Sequence, residues 1–175
     1  MCSSDLAKDD DADRAETMVT EATRAIERLI KAYPETVVGL KNSSGDWDNI
    51  RAMLKAFPGF DVFTGTEELL LQTLQLGGPG VMSATVNVLA PQTAELYAGW
   101  QGDAAEALQG RVSALRQSIT RFPAIPALKA AMAQISGDAE RWARVRPPLR
   151  ALDAEAGQAV MDSLQSAGWE LQQAA

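Results

Sequence analysis

In the stretch "TVVGLKNSSGDWDN", residues 36–49, an apolar run ending in Leu40 delivers Lys41 and then stops in a small, polar, glycine-containing turn. An ammonium is costly to bury, so a chain ordinarily sends lysine to a solvated helix face. Two readings of Lys41 stay open on spacing alone: a snorkelling surface residue, or a nucleophile at the end of an inner strand. Other chemistry is narrowed by what is missing. The chain has no histidine and one cysteine, Cys2, which excludes Cys/His zinc sites, Ser-His-Asp triads, Cys-His dyads and internal disulfides. Lysine, carboxylates, hydroxyls and backbone groups are left.

The elements around Lys41 follow from periodicity. Ala22, Ile26, Leu29, Ile30 and Tyr33 fall at helical spacing, and Pro34 closes that segment. A strand is expected over Thr36–Leu40. Asp46 is a cap for a helix with Trp47, Ile50, Met53, Leu54 and Phe57 on one face, followed by a second strand over Phe60–Phe63. Thr66 caps the helix "EELLLQTLQL", Gly77-Gly78 end it, a third strand is expected over Gly80–Ala84, and Pro91 opens another helix. Three repeats of a short buried strand and a helix predict right-handed βαβ units on a parallel sheet. From about Asp103 the strands cease. Long helices are expected around Leu108–Phe122, Ile125–Ile135 and Leu152–Leu164, the last with Asp153 near its cap.

In such sheets the C-terminal ends of parallel strands gather the loops that form active sites. Lys41, the stretch Gly65-Thr66-Glu67 and the stretch Ser83–Asn87 all fall at such ends. The charge balance says what else to exclude. A net charge of -7, with no interleaving of basic and aromatic residues, argues against nucleic acid, and no apolar run is long enough to span a bilayer. No membrane partner and a cytoplasmic location are expected.

The blocks "VVGLKNSSGDWDN", "FTGTEELLLQTLQLGGPGVMSATVNVLAP", "FPAIPALKAAM" and "RVRPPLRALDAE" resemble the second half of the dihydrodipicolinate synthase / N-acetylneuraminate lyase family, from about Tyr33 to Gly168. The resemblance implies an α/β fold, βα units six to eight of a (β/α)8 TIM barrel followed by three C-terminal helices. On this division residues 16–101 are the partial barrel and 102–175 the helical appendage. It also implies that Lys41 forms a Schiff base with pyruvate or another 2-keto acid, the protonated imine then serving as an electron sink. No cofactor and no metal is implied, and a homotetramer is expected when intact. Desolvation in an apolar barrel favours the neutral amine that such an attack requires.

Other positions carry over from the family one by one. Ser43 matches the small hydroxyl position beside the lysine, Gly65, Thr66 and Glu67 match the loop that reads the distal part of the substrate, and Met82 matches a position near the lysine. Each has a plainer alternative: Ser43 as a turn residue, Thr66 and Glu67 as a capping pair, Met82 as core filling. Ala84 stands where sialic-acid lyases have a hydroxyl, which argues against that substrate and leaves a shorter 2-keto acid or a sugar-acid derivative equally open.

The chain also departs from the family. At the place of its catalytic tyrosine, on the strand before the lysine strand, residues 11–17 read "DADRAET", and the loop that binds the pyruvate carboxylate has no counterpart. The head "CSSDL", residues 2–6, is what a sequencing adapter encodes, so Met1–Leu6 are expected to be foreign and residues 1–15 to pack against nothing. A truncated, inactive lyase with exposed sheet edges is the expectation. The alternative from another class is a non-catalytic helical binding or assembly module that uses its acidic C-terminal helices.

Overall fold

The computed structural model describes residues 21–170, so the expected unpacked head lies outside the described residues. Residues 21–32 are helical (α1), and Ile26 and Ile30 pack on the apolar cluster beneath the sheet. Just past the helix the Tyr33 carbonyl accepts hydrogen bonds from the amides of Thr36 at 3.1 Å and Val37 at 2.8 Å. That turn, built on Pro34, occupies the residues from which the strand was expected to start. Strand β1 therefore runs Gly39–Asn42 rather than Thr36–Leu40, and Lys41 sits inside it rather than beyond its end.

Helix α2, Trp47–Ala56, begins as its sequence indicates, with the Asp46 carboxylate accepting from the Asp48 amide at 2.9 Å. It buries Ile50 and Met53 against Phe57, Phe60 and Val62. The Phe60 amide closes a turn on the Phe57 carbonyl, which moves β2 one residue along, to Asp61–Thr64. β1 and β2 pair in parallel, with Lys41 opposite Phe63 and Asn42 opposite Thr64.

The expected third strand over Gly80–Ala84 is reduced to one parallel bridge, Thr64 to Val81. Bonds from the Thr64 amide to Gly80 O (3.1 Å) and from the Met82 amide to Thr64 O (2.9 Å) hold it. The chain then leaves the sheet. The Ser83 and Thr85 hydroxyls lie 2.7 Å apart and Ser83 Oγ accepts the Thr85 amide, which turns the backbone into a helix instead of extending it.

Between β2 and that bridge, Thr66 caps a 3-10 turn, Glu67–Leu69, that leads into α3, Leu70–Gln75. Helix α4, Val86–Gly99, starts five residues before Pro91, which was expected to open it. With no N–H to give to Asn87 and a ring that crowds the preceding turn, Pro91 distorts the helix, and Leu89 takes φ -106° and ψ 17°. After it come α5 (Ala105–Thr120), α6 (Ala124–Ser136), a short α7 (Ala139–Trp142) that periodicity did not indicate, and α8 (Ala154–Ser166), capped by Asp153. The main core joins these helices to α4: Val88, Leu89, Leu115, Ile119, Ala127, Leu128, Val160 and Leu164 form one apolar cluster.

Candidate functional site

The two faces of the small sheet differ. Leu40 and Val62 pack toward α2, and Asn42 and Thr64, two residues on, are buried on the same face. Strand alternation puts Lys41 and Phe63 on the opposite face, together with Met82 beside the bridge. There Lys41 is exposed, Phe63 half-buried and Met82 46% exposed. Lys41 and Met82 share a face but stand on either side of β2, with Met82 two residues further along the register than Lys41.

The turn after Lys41 is held from below. Asn42 Nδ2 donates to Asn49 Oδ1 at 2.6 Å, and Asn42 Oδ1 accepts from the Ser44 amide at 3.0 Å and the Ser44 hydroxyl at 2.7 Å. Ser44 Oγ in turn accepts from the Asp46 amide at 3.1 Å. Asn42 thus ties the strand end to the start of α2, a role that the sequence reading did not assign. An asparagine at a strand end just before a Ser-Ser-Gly turn is the local signal that could have shown it.

The parallel register brings Ser43 against Gly65. A Cβ on Gly65 would lie 2.8 Å from the Asn42 carbonyl oxygen and 3.0 Å from Ser43 Cα, so only glycine lets the two loops meet. Lys41, Ser43 and Gly65 therefore gather at one end of the sheet, where the turn after Val81 also lies.

Thr66 and Glu67 are both buried, Glu67 completely. Thr66 Oγ1 accepts from the Glu68 amide at 3.4 Å, a capping contact. Glu67 Oε1 accepts from the Thr85 hydroxyl at 2.5 Å, and Glu67 Oε2 from Arg116 Nη1 at 2.7 Å. The same Arg116 nitrogen reaches Thr85 Oγ1 at 2.7 Å and Ser83 Oγ at 3.1 Å, and Arg116 Nε lies 3.4 Å from Glu68. Gln109 Nε2 donates to the Glu67 carbonyl at 2.9 Å. Arg116 and Gln109, both on α5, escaped the sequence reading. Arg116 follows Leu115 directly, on the flank of an apolar stripe, where an arginine reads as a solvated residue.

Among the described residues no cluster of His, Cys, Asp and Glu could hold a metal ion, and no helix is long and apolar enough to cross a membrane. What the strand ends offer is an exposed amine, hydroxyls, glycine-permitted backbone approach and a buried carboxylate–guanidinium pair.

Residues 15–167 match the model of the dihydrodipicolinate synthetase family. A 4-hydroxy-tetrahydrodipicolinate synthase of Methanopyrus kandleri is 34% identical over 128 residues, 70% of this chain and 41% of that protein. The crystal structure of dihydrodipicolinate synthase from Agrobacterium tumefaciens superposes with a TM-score of 0.69 at 27% identity, over 81% of this chain and 47% of the other. YagE, a prophage protein of the family from E. coli K12 solved in complex with pyruvate, shares the fold with a TM-score of 0.70 at 24% identity, over 82% of this chain and 50% of that one. The chain spans about half the length of the solved relatives that it matches.

Proposed function

The chain belongs to the dihydrodipicolinate synthetase family, and from that premise we propose that Lys41 is the Schiff-base lysine of a class I lyase or aldolase acting on pyruvate or a related 2-keto acid. The Lys41 amine attacks the keto carbon and the carbinolamine loses water; the protonated imine takes up the electron pair of a carbon–carbon bond that breaks at the neighbouring carbon, giving an enamine, and in the opposite direction the enamine, made by loss of a proton from that carbon, gives the pair to the bond that forms. The reading sees the strand–helix units here as units six to eight of the eight-unit barrel, with α5 to α8 as its C-terminal appendage. Homotetrameric assembly and a cytoplasmic location belong to the same reading of the intact enzyme.

The observation that carries the proposal is the parallel register. It sets Lys41 opposite Phe63 and so places Ser43 against Gly65 at the strand ends. Ser43, Gly65, Thr66 and Met82 are proposed to line the substrate, with Glu67 contributing from behind.

The 175-residue chain is proposed to capture the keto acid without turning it over. Among the described residues, two paired strands and one bridge leave the amine exposed to water, whereas catalysis by such an amine draws on desolvation. Nor does either tyrosine stand on the sheet to relay protons: Tyr33 follows α1, Tyr97 is on α4, and both are more than half exposed. Incubation with pyruvate and borohydride tests the proposal by intact mass. One carboxyethyl addition that disappears in Lys41→Ala is the expected result, and no addition, or addition undiminished in that variant, would overturn it.

A further inference from the structure

We infer that Arg116, on the first helix of the appendage, is a positioning residue for the strand-end loops and through them sets the selection of substrate length. The inference rests on the reading of Lys41 as the imine-forming lysine. Its basis is a count of hydrogen atoms. Thr85 has one hydroxyl proton, and the 2.5 Å contact to Glu67 Oε1 commits it to that carboxylate. In the 2.7 Å contact between Ser83 and Thr85 the proton must then come from Ser83. Arg116 Nη1 has two hydrogens for three acceptors: Glu67 Oε2, Thr85 Oγ1 and Ser83 Oγ. One guanidinium nitrogen thus binds the loop after β2 to the turn after Val81.

Both oxygens of Glu67 are engaged within this cluster and the side chain is fully buried, so its carboxylate is not presented to a ligand. The distal part of a substrate instead meets the backbone of Gly65-Thr66 and of Ser83-Ala84, and the cluster decides where those segments lie. Lysine cannot replace the guanidinium here, because its Nζ ends one bond short of the position of Nη1 and it has no counterpart of Nε, which lies 3.4 Å from Glu68. Pyruvate, bound on β1, ends short of these loops; a six-carbon hydroxylated 2-keto acid extends across the neighbouring strand toward them.

The test compares borohydride capture at Lys41 for pyruvate and for a six-carbon 3-deoxy-2-keto sugar acid, in the full chain and in Arg116→Lys. The ratio of the long to the short acid's capture rate is expected to fall roughly tenfold or more in Arg116→Lys, since displacements of about 1 Å cost that much or more. Arg111→Lys, whose partner Glu95 is on the surface, serves as the control and keeps the ratio of the parent chain. An unchanged ratio, or the same fall in Arg111→Lys, would overturn the inference. If the parent chain captures neither acid at Lys41, the reading of that lysine fails, and hydrogen exchange decides the positioning by itself. Exchange in Arg116→Lys must rise in residues 65–68 and 83–88 together while 124–136 stay protected; no rise, or a rise everywhere, would overturn it.

Discussion

Replacing Arg116 with alanine should be among the most damaging single changes in the chain, because of what it leaves behind. Glu67 is 0% exposed, and with the guanidinium gone its carboxylate keeps the Thr85 hydroxyl as its one side-chain donor. Stripping one partner from a buried pair typically costs about 3–5 kcal/mol. Glu67→Gln removes the charge instead and keeps an acceptor for Thr85. The Arg116 side chain, 20% exposed, can then draw on water, so a cost of about 1–2 kcal/mol is expected. In the double variant Glu67→Leu, Arg116→Met no charge remains to be desolvated, and stability should return to within about 1 kcal/mol of the parent. Urea denaturation followed by circular dichroism reads all of this. With a slope of about 2 kcal/mol/M, Arg116→Ala should lower the midpoint by about 1.5–2.5 M, and Glu67→Gln by less than half as much. A cost below about 1 kcal/mol for Arg116→Ala would refute the reasoning, as would a Glu67→Gln variant that loses as much.

Gly65→Ala should cost about 1–3 kcal/mol and slow keto-acid capture, because its Cβ would press on the Asn42 carbonyl from 2.8 Å; a parent-like urea midpoint would contradict this. Asn42→Ala should cost about 1–3 kcal/mol by freeing Ser44 and Asn49, again read by urea midpoint. Leu29, Tyr33 and Val38 are large apolar side chains 46%, 58% and 56% exposed, so sedimentation should show concentration-dependent association, and a monomer at every concentration would count against it. Lyase turnover by the purified 175-residue chain should be undetectable, and turnover abolished by Lys41→Ala would show that the enclosed barrel is not required.

What could be read from the sequence was mostly local. Asp46 and Asp153 cap the helices that they were expected to cap, since a capping contact spans only two or three residues, whereas Thr66 caps the 3-10 turn Glu67–Leu69 and not α3 itself. The parallel pairing followed from the alternation of strands and helices, as did the gathering of Lys41, Ser43 and Gly65 at one end. The misplacements have hydrogen-bonding causes. Tyr33 O takes two amides and delays β1, while Ser83 and Thr85 bend the third extended segment into α4 before it can form a strand. Pro91 fits the first turn of a helix and also, at the cost of the distortion at Leu89, its interior; the sequence does not distinguish these. Arg116 was out of reach in a different way. It meets Glu67 across 49 residues, and nothing in the apolar stripe Leu108, Val112, Leu115, Ile119 says what its flank touches.

If its place on the sheet distinguishes Lys41 chemically, the other lysines among residues 21–170 provide the comparison. Lys31 and Lys55 are exposed near the ends of α1 and α2, and Lys129 lies on α6 with its ammonium on the Arg144 carbonyl. After brief treatment with pyruvate and borohydride, peptide mapping should place the carboxyethyl group on Lys41 well ahead of Lys31, Lys55 and Lys129. Equal modification of Lys41, Lys31 and Lys55 would contradict the account, because the strand-end site would then do nothing that an ordinary surface lysine does not.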